Sequence, residues 1–303
     1  MLENDEFWDF YWEIRLQAME NLGKREAVLA ASRLVRQISR QSEQPVRILE
    51  LGCGEGQVVG TLIDAHASLC ASQIVVGVDY NASSLSRCRR DFPGLQFVKG
   101  DFTDKNLLAG LGKYDLVLLV NALHEVFSAE ISPERGEVNV PLAKQRVEEA
   151  LAGAIGCLAP DGWLVVFDGL EPAGDPDDLF YIRFQDSQVW DDFEVFARQY
   201  QPFRISYRKI ENPLCIEITR RNFTRYLTKS IFLGKSLWQT ERKESYQYFT
   251  LDEFKTVFAR QGLEIDELRT LTVNADKWRR LVEILSPEED FPDEHILILA
   301  RRG

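Results

Sequence analysis

The stretch Val46-Arg47-Ile48-Leu49-Glu50-Leu51-Gly52-Cys53-Gly54-Glu55-Gly56-Gln57 constrains this chain more than any other. A short apolar run reaches an acidic residue and breaks into three glycines, each separated from the next by one residue. Glycine takes positive φ readily and lets a ligand come close to the backbone, so the run reads as a buried strand turning into a nucleotide-binding loop. Val58, Val59, Leu62 and Ile63 then supply the apolar face of a helix. The expected frame is strand, glycine turn, helix.

The frame repeats. Strands are expected at 46–51, 73–79, 95–100, 114–121 and 163–168, with helices between them at 56–70, 82–91, 104–111 and 141–158. Such alternation requires a parallel α/β sheet, and right-handed crossovers bring the carboxyl ends of its strands to one edge. Ligands bind at that edge in open α/β sheets. There the sequence places Glu50 with its glycines, Asp79-Tyr80, Gly100-Asp101-Phe102 and Asn121-Ala122-Leu123-His124-Glu125.

Charge narrows the ligand. The net charge is -12 over 303 residues, which repels nucleic acid and leaves small molecules or peptides as the expected partners. A dinucleotide fingerprint wants glycine where this chain has Gln57. Pyrophosphate would also meet Glu50, Glu55, Asp79 and Asp101. One like-charge contact at about 4 Å costs on the order of 4 kcal/mol at an effective dielectric of about 20. A ligand with a ribose, an adenine and cationic groups, and without phosphate, fits better. The five cysteines are scattered and the three histidines form no ligand spacing, so neither a disulfide framework nor a metal site is expected. No apolar run has the length of a membrane span, and the acidic start lacks the features of a secretory signal. A cytoplasmic location is the default expectation.

With these motifs in order, the chain resembles the class I S-adenosylmethionine-dependent methyltransferases. Glu50 to Gly56 is similar to their first motif, Val78-Asp79 to the acidic end of the second strand, and Gly100-Asp101-Phe102 to the third-strand motif. Tyr114 to His124 is similar to their fourth strand, and Leu158 to Leu164 to the turn before the fifth. The resemblance implies a Rossmann-like, doubly wound, mostly parallel seven-stranded sheet with a C-terminal antiparallel hairpin. It also implies S-adenosyl-L-methionine as cofactor. Gly52, Gly54 and Gly56 would pass under its homocysteine part, with Glu50 near the ammonium or orienting the loop. Asp79, beside Tyr80, would accept from the ribose hydroxyls, Asp101 from the adenine amino group, and Phe102 would pack on the ring. Asn121 and the backbone around Leu123 would lie near the methyl. A nicotinamide-dependent oxidoreductase, an N- or C-methyltransferase and a non-catalytic cofactor-binding protein stay open beside the expected transfer to oxygen.

The expected organisation is an N-terminal helical cap at 1–45, a cofactor-binding core at 46–170, an α+β insertion after the fifth strand at 171–247, and a completion of the core at 248–303. The aromatic N-terminus, with Tyr11 in its apolar stripe, would serve as a lid over substrate or as a homodimer interface. Thr250 and Glu253 are spaced as a helix capping box. The insertion begins acidic at 171–178, is expected to continue as an aromatic helix through Tyr200 and as strands at 203–207 and 214–218, and then carries Arg220-Arg221-Asn222-Phe223-Thr224-Arg225-Tyr226-Leu227-Thr228-Lys229, a basic and aromatic cluster in an acidic chain. Arg221 and Arg225 are expected to hold an anionic substrate, with Trp238 and Tyr246 lining the same pocket. His124 is the first general-base candidate and Glu125 the second. A carboxylate acceptor would need no base.

Overall fold

The computed structural model describes residues 22–41, 44–66, 74–132, 136–210 and 214–302. The expected N-terminal cap up to residue 21, Tyr11 included, lies outside the described residues. A seven-stranded sheet has the order β3-β2-β1-β4-β5-β11-β9. Its strands are β1 (Arg47–Leu51), β2 (Ile74–Asp79), β3 (Gln96–Lys99), β4 (Tyr114–Val120), β5 (Leu158–Gly169), β9 (Leu263–Leu271) and β11 (His295–Arg302). The chain divides into two compact units: residues 1–120, 153–167 and 297–303 in one, residues 121–152 and 168–296 in the other.

In the first unit β1 lies parallel between β2 and β4, with Leu49 opposite Val76 and Val117. Ile48, Leu49 and Leu51 are fully buried, as expected of a central strand covered on both faces. Helices α1 (Leu22–Gln41), α2 (Gln57–His66), α3 (Ala82–Asp91) and α4 (Lys105–Leu111) complete the unit's early part. Asn81 and Asp104 start α3 and α4 by accepting the free amides of the first turn, from Ser83 and Ser84 and from Asn106. The fifth strand is longer than expected. Its register against β4 jumps between Leu158 and Trp163, and the extra residues turn through Asp161 at φ 60°.

The second unit begins with α5 (Leu123–Ser128) and α6 (Val140–Gly156), whose last turn belongs to the first unit. It holds an antiparallel sheet in the order β10-β6-β8-β7, from β6 (Leu179–Phe184), β7 (Tyr207–Lys209), β8 (Cys215–Thr219) and β10 (Val282–Ser286). Two helices, α7 (Ser187–Gln199) and α8 (Arg220–Lys229), bring Trp190, Phe193, Phe196, Phe223 and Tyr226 into one aromatic core with Phe180, Ile182 and Phe184 of β6. Two short helices, α9 (Trp238–Glu241) and α11 (Ala275–Leu281), add Trp238 and Trp278 to it. Helix α10 (Leu251–Arg260) starts at the expected capping box, with the Thr250 hydroxyl accepting from the Glu253 amide and the Glu253 carboxylate from the Thr250 amide.

Three local expectations are corrected. Residues 179–184, expected to be helical, form β6, where Phe180, Ile182 and Phe184 are buried and Leu179 and Arg183 exposed. That is a period of two, hidden in the sequence because Tyr181 interrupts the polar positions. The strand expected at 203–207 is confined to Tyr207–Lys209. Residues 282–286, passed over in the sequence, supply β10, a bulged strand at the sheet's margin whose half-exposed side chains leave little hydrophobic pattern.

Candidate functional site

The glycine loop of the first unit is held from below and open above. Gly52, Gly54 and Gly56 have φ of 74°, 52° and 73°, the left-handed region that a side chain would strain. The amides of Gly52 and Cys53 both donate to the Val78 carbonyl, at 2.9 and 3.0 Å. The Gly54 amide donates to Asp79 Oδ2 at 2.8 Å, so the acidic end of β2 fixes the middle of the loop. Asp79 Oδ1 accepts from the Asn81 amide at 2.7 Å. Each carboxylate oxygen therefore keeps a further lone pair for a ligand. A Cβ on Gly54 would meet nothing within 4 Å, which leaves that side of the loop free for a ligand. Cys88 Sγ donates to the Gly54 carbonyl at 3.2 Å, and burial pushes its thiol up to about 11.

Glu50 is buried and turned away from solvent, accepting from the Val59 amide at 3.2 Å in the first turn of α2. Burial pushes its pKa up to about 8, against the pull of Lys24 and the Val59 amide and with Asp79 adding to the rise. The hydrogen bond of Glu50 ties the end of β1 to the first turn of α2. Glu55 is exposed and ion-paired with Arg87. The four-carboxylate field expected around the loop is thus weaker than the sequence implies, because Glu50 is largely protonated at neutral pH and Glu55 is neutralised. Asp101 is exposed and accepts from the Thr103 amide and hydroxyl at 2.8 and 2.7 Å, while Phe102 is buried and Tyr80 is 64% exposed.

The second unit contains a buried charge cluster. Asp168 Oδ2 accepts from the amides of Ala122 and Leu123 at 3.0 and 2.7 Å, and Oδ1 faces His124 Nδ1 at 2.8 Å. The other imidazole nitrogen lies 3.6 Å from Glu244. Lys229, fully buried, reaches Glu241 at 2.7 Å and Glu244 at 3.1 Å. Tyr246 lies between the two cations: its ring stacks on His124 at 3.8 Å and faces the Lys229 ammonium at 4.0 Å. Burial opposes a charge on His124, yet Asp168 and Glu244 outweigh it and push the imidazole up to about 10. Burial also opposes charge on the two acids, and the same cations win again: Asp168 is held below the usual carboxylate range and Glu244 near about 2.

Residues 48–134, which contain the loop, Asp79, Asp101 and Asn121, match the family model of a methyltransferase domain. That segment, less than a third of the chain, is similar to a methyltransferase domain. Solved structures similar to this chain include a methyltransferase from Mesorhizobium loti (18% identity, 85% of this chain and 91% of that one, TM-score 0.45). Others are a methyltransferase from Clostridium acetobutylicum (14%, 99% and 98%, 0.47) and the N-methyltransferase NodS of Bradyrhizobium japonicum with S-adenosyl-L-homocysteine (11%, 95% and 91%, 0.45). These TM-scores lie below one half, and the assignment rests on the matched segment. No curated protein matches the chain.

The remaining expected site residues are scattered. Asn121 adopts φ 53° just after β4, and its side-chain oxygen is buried without a hydrogen bond. The Leu123 amide is taken by Asp168, and Glu125 is exposed. His124 is corrected as a base: an imidazole between two carboxylates keeps its proton at neutral pH. Trp238 is corrected as a pocket residue, since it is buried in the aromatic core with its indole donating to Gln199. Arg221 pairs with Glu171 at 2.8 Å and Asp177 at 3.6 Å. Arg225 is buried and stacked on Phe203. Asp168, near the end of β5, has no place among the expected site residues. Lys229 and Glu244 carry no signal, because their pairing depends on a turn far along the chain.

Proposed function

We propose that the protein transfers the methyl of S-adenosylmethionine to an oxygen of a small molecule or peptide, and that this oxygen belongs to an acceptor already ionised, a carboxylate in the first place. The state of His124 carries this reading. A hydroxyl or amine acceptor gives up a proton, and the residue best placed in sequence to take it is held as a cation. A carboxylate has no proton to lose, so transfer to it asks only for alignment.

The residues proposed to hold the cofactor are those of the first unit: the Gly52–Gly56 loop against its homocysteine part, Asp79 for the ribose hydroxyls, Asp101 and Phe102 for the adenine. The free lone pairs of Asp79 and the open side of Gly54 fit such a ligand. Bound there, S-adenosylmethionine supplies a methyl already activated on a cationic sulfur. In the second unit Asp168 holds the segment from Ala122 to His124 by its backbone amides, which fixes Asn121 in its left-handed conformation. The elements from residue 171 to 247 are proposed to recognise the acceptor, as chain grafted on a scaffold commonly does.

The test is product chemistry. The protein should produce S-adenosylhomocysteine when mixed with S-adenosylmethionine and a panel of carboxylic acids, and the product should release methanol on mild base, as a methyl ester does. A base-stable methylamine would overturn the choice of oxygen, and tight binding of NAD in place of S-adenosylhomocysteine would overturn the whole reading.

A further inference from the structure

The basic cluster that opens α8 is neutralised almost throughout. Arg220 pairs with Asp178 and Glu289, Arg221 with Glu171 and Asp177, and Lys229 with Glu241 and Glu244. Arg225 is the exception. It is 6% exposed, yet it makes no ion pair among the described residues. Its Nη1 donates to the neutral Asn222 amide oxygen at 3.1 Å, and the guanidinium lies 3.8 Å above the Phe203 ring. Its Nε has no hydrogen-bond partner, and none is formed on the edge between Nε and Nη2. That edge is the one a carboxylate grips with two parallel bonds.

The surroundings offer more donors and no counter-charge in contact. One helical turn on from Arg225, the Thr228 hydroxyl lies 3.1 Å from the Arg225 backbone carbonyl and 3.4 Å from Gln247 Oε1, which brings Gln247 beside this turn of α8. The Gln247 Nε2 amide is buried without a partner. The Tyr200 hydroxyl, whose charge state is coupled to the guanidinium, makes no hydrogen bond of ordinary geometry. Two acids act on Arg225 through space and are both engaged elsewhere: Glu171 by Arg221, and Glu137 by the Arg204 amide at 3.2 Å. Burial accordingly pulls the Arg225 pKa down. A buried cation and buried donors left unpaired are costly, and an anion bound between them would repay that cost.

We propose that Arg225, with Gln247 and Tyr200, forms a binding site for a carboxylate of the acceptor substrate. The proposal rests on the methyltransferase reading for the word acceptor, while the site itself stands on the second unit's own side chains. One cation with neutral donors matches a monoanion; a phosphate dianion would call for a second positive group, and Arg220, Arg221 and Lys229 are committed to carboxylates. The planar guanidinium suits a planar carboxylate for the same reason that lysine would not replace it.

Calorimetry on the full chain tests this with benzoate as probe, benzamide as its neutral isostere and S-adenosylhomocysteine as an independent check on folding. Benzoate should bind, benzamide at least tenfold more weakly. Arg225→Met should lose benzoate affinity tenfold or more while S-adenosylhomocysteine binds within twofold of the parent. Gln247→Leu, which keeps the cation, should weaken benzoate severalfold. Equal binding of benzoate and benzamide, unchanged benzoate binding by Arg225→Met, or no benzoate binding by the parent protein would overturn the site. Benzoate binding by a protein that ignores S-adenosylhomocysteine would leave the carboxylate site standing and remove the methyltransferase reading instead.

Discussion

The glycine cradle of the first unit and the charged cluster of the second are each built around one fully buried carboxylate, and the two acids behave in opposite ways. Glu50 has one backbone amide to accept from and no cation in contact, and burial pushes it up to about 8. Asp168 is as deeply buried, yet the His124 imidazolium and the backbone amides around it hold it below the usual carboxylate range. Burial sets the cost of charge, and the partners decide whether it is met. Glu50 therefore stays a carboxyl that can still give up a proton, whereas the cluster settles its charges within itself.

The strongest way to break this contrast is Asp168→Asn. It removes the anion held between the His124 imidazole and the backbone amides of Ala122, Leu123 and Gly169, and losing one partner of a buried pair costs about 3–5 kcal/mol. Urea unfolding at pH 7 measures it. The pH dependence carries a second signature. His124 has a folded pKa near 10, above the ordinary 6.5. Its contribution to stability is fully present below pH 6.5 and disappears as pH rises through 10. Asp168, with a lowered pKa, contributes stability present above the ordinary carboxylate range and lost as pH falls through its folded value. In the Asn variant the loss between pH 8 and 10 should shrink. A parent protein with flat stability across that window would show that His124 is not held as a cation.

The same contrast explains what was legible in the sequence. The cradle was: glycines at fixed spacing, an apolar run and an acid at each of two strand ends are local signals, and the loop, Asp79 and Asp101 all stand where the pattern put them. The first five strands and the capping box at Thr250 were readable for the same reason. The cluster was not. Its members come from residues 124, 168, 229, 241 and 244, brought together only by tertiary packing, and a basic run such as Arg220 to Lys229 looks alike whether its charges face a ligand or Glu171, Glu241 and Glu289. The charge of His124 is not legible in the sequence, because the carboxylates that fix it lie 44 and 120 residues away. Edge strand β10 escaped through its half-exposed, bulged pattern.

Glu50→Gln tests the other half of the comparison. With a folded pKa near 8 against an ordinary 4.5, Glu50 favours the native state most below pH 4.5, and that support is lost as pH rises through 8. The Gln variant has no such loss, so it should gain about 3 kcal/mol on the parent between pH 5 and pH 9. Identical pH profiles would mean that Glu50 is solvated. A smaller effect is expected at Asp79, which both braces the Gly54 amide and is proposed to bind ribose. Asp79→Ala should weaken S-adenosylhomocysteine binding by about 1–3 kcal/mol in calorimetry, and an unchanged affinity would take Asp79 out of the site.

The smallest effect bears on where the preference for a cation proposed for the cradle would originate. Glu55 and Arg87 are both roughly half exposed, and such a pair contributes about 0.2–1 kcal/mol to stability. Arg87→Gln frees the Glu55 charge beside the glycine loop without touching Asp79 or Glu50. If the preference is set by the buried and hydrogen-bonded acids, the freed charge is screened over a Debye length of about 8 Å at physiological salt, and affinity for S-adenosylhomocysteine should change less than about twofold. A larger gain that fades as salt is added would locate the preference at the surface, in Glu55, and the contrast between Glu50 and Asp168 would then concern stability alone.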